Sequence, residues 1–253
     1  KQFQKLCDRN SGRNKRVTES VRKIVENVKL YGDDAVIKYT RKFDKIKLTQ
    51  KEIKVSECET SGAYQDIKPE FISALKVVID NVTKFYKKHL KRSWNIKDTN
   101  GVLLGEKVMP LEKVGIYEPS GTVPLVSSVY MTVIPAKMAG VKKVVLVTPP
   151  NKYKSIDPYI LVVANLLKVD EIYKVGGAQA IASLAFGTKT IPRVDKIVGP
   201  GNAYVTEAKR QVFGFCDIDM LAGPTEVVII ANQSSNINYI KADLEAQGEH
   251  FMG

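Results

Sequence analysis

The spacing of apolar and polar positions divides the chain into two textures that meet near Val102. Before that point apolar residues recur at helical spacing, so residues 18–92 read as mostly helical. Val21, Ile24, Val25 and Val28 form one stripe, with Thr18 and Ser20 in a capping region before it and Gly32 where a helix would end. Asp33 and Asp34 open a second helix that runs through Tyr39 and Phe43. Pro69 opens a long amphipathic helix whose stripe is Phe71, Leu75, Val78, Val82 and Phe85 or Tyr86.

Beyond Val102 short apolar runs alternate with helical stretches. Residues 102–104 and 108–111 suggest a hairpin or meander. Strands are expected over 114–117, 143–148, 171–175 and 195–198, with helices over 127–139, from Asp157-Pro158, after Gln179 and from Asn202 through Arg210. Strand, loop and helix repeated at this spacing mark βαβ units on a parallel sheet.

Two glycine-rich loops, Gly176-Gly177-Ala178-Gln179 and Gly199-Pro200-Gly201-Asn202, fall between a strand end and a helix start. Open parallel sheets bind ligands there, where helix N-termini offer free N–H groups to an anion. Neither loop is the Gly-x-Gly-x-x-Gly dinucleotide fingerprint, and glycines of this kind also serve simple βα turns. The amides of Gln179 and Asn202 favour a ligand. A third stretch, 217–250, reads as a Gly223-Pro224 turn, a strand over 227–231 and a helix. Gln247 and His250 are i and i+3 on that helix and face one ligand together.

Charge changes this picture little. Of the net +12, residues 1–100 supply +11 (24 basic, 13 acidic) and the remaining 153 residues +1 (15 basic, 14 acidic). The excess is spread along helices without interleaved aromatics, so a lysine-rich solvated face is expected and nucleic acid is not an expected partner. His89 sits among lysines at the polar end of its helix and is given no role. Cys7, Cys58 and Cys216 are odd in number and lack Cys-x-x-Cys spacing, which favours a reducing compartment. No apolar run is long enough to span a bilayer and no signal-peptide core is present, so a cytoplasmic location is expected.

Several motifs in order resemble histidinol dehydrogenase: Gly-Ile-Tyr-Glu-Pro-Ser-Gly around Tyr117, VGGAQAIASLAFG over 175–187, DKIVGPGNAYVTEAKRQ over 195–211, IDMLAGPTEVV over 218–228 and ADLEAQGEH over 242–250. Weaker agreement runs through Asp34 to Asp44. The resemblance implies a homodimeric, zinc-dependent enzyme that oxidises L-histidinol through histidinaldehyde to L-histidine with two NAD+. It implies an α/β fold of two Rossmann-like parallel-sheet units, the second inserted in the first, with a helical N-terminal region. Residues 1–114 plus 222–253 would form the first unit and 115–221 the inserted, NAD-binding one.

Carried over by motif, Tyr117, Gln179 and Asn202 would contact NAD. Thr225, Gln247 and His250 would contact substrate, and Gln247 and His250 would also bind zinc. The family's Glu-His bases and remaining zinc ligands would lie beyond Gly253, so no catalytic base is expected within the chain and turnover by residues 1–253 is not expected. Two histidines in all are too few for a closed zinc site. Glu118 and Ser120 depart from the glycine-rich, apolar turn of the family and place an acid near the presumed cofactor. Two other readings stand beside this one: a related zinc and NAD alcohol dehydrogenase acting on another small polyol or a sulfonated diol, and a truncated, non-catalytic protein that binds nucleotide or dimerises.

Overall fold

The structure is a computed structural model that describes residues 15–119, 125–222 and 227–248. The chain divides into two compact units, residues 1–222 and 223–253.

In the first unit the N-terminal third is helical, as the stripes require. Helix α1 (Lys15–Tyr31) buries Val21, Ile24, Val25 and Val28, and α2 (Asp33–Phe43) buries Ala35, Val36 and Tyr39. Thr18 and Ser20 lie inside α1 instead of capping it. A short helix, α3 (Glu57–Gly62), starts at a capping box in which Ser56 and Glu59 satisfy each other's backbone N–H. Helix α4 (Pro69–Lys87) has Pro69 in its first turn. Its expected stripe is only partly covered: Leu75 is buried, Phe71 half-buried and Phe85 60% exposed.

The hairpin expected within 102–111 pairs differently. Strand β1 (Trp94–Lys97) runs antiparallel to β2 (Leu103–Glu106), from Trp94 opposite Glu106 to Lys97 opposite Leu103. Residues 108–111 form no strand. The turn explains the choice, because the Asp98 carboxylate accepts from the N–H groups of Asn100 and Val102 and closes a tight link back onto 94–97.

The core is a five-stranded, all-parallel sheet in the order β5-β4-β3-β6-β7. Its strands are β3 (Lys113–Tyr117), β4 (Lys143–Thr148), β5 (Glu171–Lys174), β6 (Lys196–Val198) and β7 (Asp217–Ile218). The connecting helices are α5 (Val126–Met138), α6 (Pro158–Leu166), α7 (Gly177–Phe186) and α8 (Ala203–Val212). Alternate residues of each strand enter opposite cores. Val145, Val147 and Tyr117 join α1, α2, α7 and α8 on one face. Val114, Ile116, Val144 and Leu146 join α5 and α6 on the other, with Leu75 of α4. The order reverses between β3 and β6, the point at which open α/β sheets bind ligands.

In the second unit, residues 227–231 form no strand, contrary to the expectation from their β-branched sequence. No strand of the described residues pairs with them, and Val228 and Ile230 are 86% and 95% exposed. β-propensity yields a strand only where a ladder partner satisfies the backbone. The unit's helix, α9 (Ile237–Gly248), buries no residue.

Leu146 is fully buried in the central sheet, so Leu146→Ala should cost about 2–5 kcal/mol in urea unfolding. Val228→Ala should change stability by less than about 0.5 kcal/mol. Equal losses for the two would contradict this placement of the core.

Candidate functional site

The site is assembled at the carboxyl ends of β3, β4, β5 and β6. Tyr117 ends β3, and its phenol oxygen accepts from the N–H of Gly177 at 3.1 Å, which ties it to the start of α7. Burial pushes that phenol up to about 12; Gly177 opposes the shift, and the carboxylates of Asp44 and Glu118 add to it. Asp44, just past α2, is itself pushed up to about 6 by burial, and its Oδ2 has no hydrogen-bond partner among the described residues.

Loops from neighbouring strands close on the same edge. A Cβ on Gly176 would come within 2.2 Å of the Pro149 ring, so the loops after β4 and β5 touch only because this position lacks a side chain. Gly199 is more constrained. Its φ of +118° lies outside the range comfortable for L-residues, and a Cβ there would stand 2.1 Å from the Tyr117 carbonyl oxygen. The loop after β6 therefore lies directly against the end of β3, at the switch point.

Gln179, in the first turn of α7, is 1% exposed, and neither its Oε1 nor its Nε2 has a partner among the described residues. Buried amides are almost always hydrogen-bonded, so this orphan amide stands out at the carboxyl edge of the sheet. Asn202 is exposed and serves first as the N-cap of α8, its Oδ1 accepting from the N–H groups of Tyr204 at 3.0 Å and Val205 at 3.2 Å. The cap occupies the carbonyl side of that amide and leaves its Nδ2 for a ligand. The structure thus brings Tyr117, Gln179 and Asn202 to one edge.

The remaining expected residues belong to the second unit. Gln247 lies half-exposed in the last turn of α9, in the second unit. Thr225 and His250 lie outside the described residues. Among the described residues no group of three or more His, Cys, Asp or Glu could hold a metal ion, so zinc has no donor set there. No helix of the described residues is long and apolar enough to cross a membrane.

Glu118 is buried far more deeply than the sequence suggests. It is 0% exposed and follows Tyr117 on the α5 face of the sheet, where register places it beside Thr148. Both carboxyl oxygens and the Thr148 hydroxyl lack hydrogen-bond partners among the described residues. Burial pushes the carboxyl up to about 9, opposed only by the nearby Ser128 hydroxyl in the first turn of α5. The acid is therefore neutral at pH 7 and does not present a negative charge to the site.

A second buried ionisable group is paired. Lys209 of α8 has a side chain 4% exposed, and its ammonium donates to Asp219 Oδ1 at 2.6 Å and to the Gly199 carbonyl at 2.5 Å. The sequence carried a sign of this: Val205, Ala208, Lys209 and Val212 lie at i, i+3, i+4 and i+7, which puts a cation on the apolar stripe of the helix.

Glu118 ionises in the unfolded chain near its ordinary value of 4.5 but in the folded chain only near 9, so stability should fall as pH rises between those values. Glu118→Val should remove that slope and raise stability at pH 8 by roughly 1–3 kcal/mol. Urea unfolding at pH 5 and pH 8 measures both; parallel profiles for the two proteins would show that Glu118 is not a buried acid.

With this geometry in place, similarity to known proteins is informative. The family model described as histidinol dehydrogenase matches residues 7–252. A histidinol dehydrogenase of Clostridium acetobutylicum is 49% identical over 250 residues, 99% of this chain and 58% of the relative. One from Bacillus cereus is 50% identical over 234 residues, 92% of this chain and 54% of the relative. The crystal structure of histidinol dehydrogenase from Elizabethkingia anophelis superposes with a TM-score of 0.86 at 43% identity, covering 92% of this chain and 53% of that one. The chain spans about half the length of the curated relatives it matches. The motif order, the sheet and these matches agree: the chain belongs to the histidinol dehydrogenase family.

Proposed function

We infer that this chain carries the nucleotide-binding part of an enzyme that oxidises L-histidinol to L-histidine through histidinaldehyde in histidine biosynthesis. In this reading the unit formed by residues 115–221 is inserted in a first unit made of 1–114 and 222–253, and the working protein is a cytoplasmic homodimer. The observation that carries the nucleotide assignment is Gln179, whose amide is buried and has no partner among the described residues at the edge where the loops after β3, β5 and β6 converge.

Each residue has a physical task. The Gly199 loop, pressed against β3, leads into the N-terminus of α8, whose free N–H groups suit an anionic ligand. The amide of Gln179 supplies both a donor and an acceptor to a nucleotide, and the Nδ2 of Asn202 a further donor. Tyr117, held by Gly177, forms a fixed apolar wall, and its raised phenol stays protonated throughout the working pH range. NAD+, when bound, supplies the hydride acceptor. Orientation is the chief contribution of such a cradle, since a hydride acceptor fixed over the alcohol carbon avoids a large entropic cost.

Thr225, Gln247 and His250 are assigned to the substrate, and Gln247 and His250 to zinc, on the family resemblance. The same reading assigns no general base within residues 1–253, so turnover is attributed to the whole family-length protein.

Isothermal titration of this chain with NAD+ should detect binding, and Gln179→Leu should weaken it about tenfold, the effect of losing hydrogen bonds from a buried amide. The family-length gene product should form NADH from L-histidinol and NAD+ and lose that activity on chelation. A preparation that ignores L-histidinol but oxidises another small polyol would move the substrate assignment to that alcohol. Equal NAD+ affinity for Gln179→Leu would remove Gln179 from the site.

A further inference from the structure

Lys209 and Asp219 do more than neutralise each other. The ammonium of Lys209 holds the carbonyl of Gly199, and Asp219 Oδ2 accepts from the Gly199 N–H at 2.8 Å, so both backbone groups of one glycine are held by the two members of one ion pair. Asp219 also binds its own side of the joint, its Oδ1 accepting from Met220 N–H at 2.7 Å, while its backbone N–H donates to the Ile197 carbonyl at 3.1 Å. One helical turn earlier on α8, Thr206 donates its hydroxyl to the Ala222 carbonyl at 2.8 Å. Thr206 and Lys209, three residues apart, present one face of α8, and that face fastens residues 219–222. Those residues lead directly into Gly223-Pro224-Thr225.

A buried ammonium is costly to desolvate, and a plain structural ion pair is often no better than an apolar substitute; here both charges act on a single residue of the loop after β6. We propose that Lys209 and Asp219 are positioning residues that set the Gly199–Asn202 loop for the nucleotide. This assignment rests on the nucleotide reading given above. Through the pair, the loop after β6 and residues 219–222 are referred to the same face of α8.

The test compares the whole chain with its Lys209→Met, Asp219→Asn and Lys209→Arg variants by NMR amide exchange, circular dichroism and NAD+ titration. Lys209→Met and Asp219→Asn should speed exchange at the amides of Gly199 and Met220 while the amides of β3 and β4 stay protected. Both should weaken NAD+ binding about tenfold, the size of one charge-assisted hydrogen bond. Lys209→Arg, which keeps the charge and the donors, should recover most of the affinity. Uniform acceleration of exchange across the sheet, or unchanged affinity with a disordered Gly199 amide, would reduce the pair to a structural tie and overturn the proposal. A wild-type chain that binds no NAD+ would remove the nucleotide reading and the positioning role with it, and would be told apart from failure of the clamp itself by a Gly199 amide that still loosens selectively in the variants.

Discussion

The contact between Gly199 and the carbonyl end of β3 is the constraint on which the carboxyl edge of the sheet depends. With no side chain at that position, the backbone after β6 turns at φ +118° and rests on Tyr117, the last residue of β3. Everything at the edge takes its place from this approach. Tyr117 is pinned from above by Gly199 and from the side by Gly177, which fixes the start of α7 and therefore Gln179. Asn202 then caps α8 only three residues beyond Gly199, so the same turn that closes the sheet aims a helix N-terminus across it. A parallel sheet cannot supply such an edge by pairing alone, because its strands end wherever their ladders end; the glycine decides where the loops meet.

The edge also carries an energetic conflict. Glu118 occupies a fully buried position on the α5 face beside Thr148, between apolar neighbours of β3 and α5, where an unpaired carboxyl is costly. Lys209, equally buried, meets both a carboxylate and a carbonyl and is satisfied. The two residues show opposite resolutions of the same problem: one charge is matched by partners, and the other is removed by holding the proton. Net stabilities of domains are small compared with either cost, so the surrounding core, dense with Val129, Val133, Val144 and Leu146, must absorb the first group's penalty.

Much of this was legible in the sequence, and the limits are physical. The parallel sheet followed from 143–148 and 171–175, whose apolar runs are flanked by turns and helices. The N-cap pair Asp157-Pro158 and the start of α4 at Pro69 are local signals, and both were realised. Position 117 and the two glycine loops could be placed at one edge because βα topology leaves few alternatives. The strand at 227–231 failed because propensity cannot supply a ladder partner, and the hairpin moved to 94–97 because a turn carboxylate, not hydrophobicity, selected the register. Glu118 was visible as an acid near the site, but its burial was not, since side-chain direction just past a strand's end depends on the neighbouring strand. Lys209 was the reverse case: its place on an apolar stripe was readable, while its partner, Asp219, lies beyond the next strand.

The run Val227-Val228-Ile229-Ile230-Ala231 bears on how the chain behaves as a material. It is apolar, mostly β-branched, uncharged and free of proline and glycine, and Val228 and Ile230 are almost fully exposed. Segments of that composition stack with copies of themselves into cross-β ribbons when exposed. Exposure of such a run favours self-association at high concentration, and a charge introduced among these five residues would act as a gatekeeper against it.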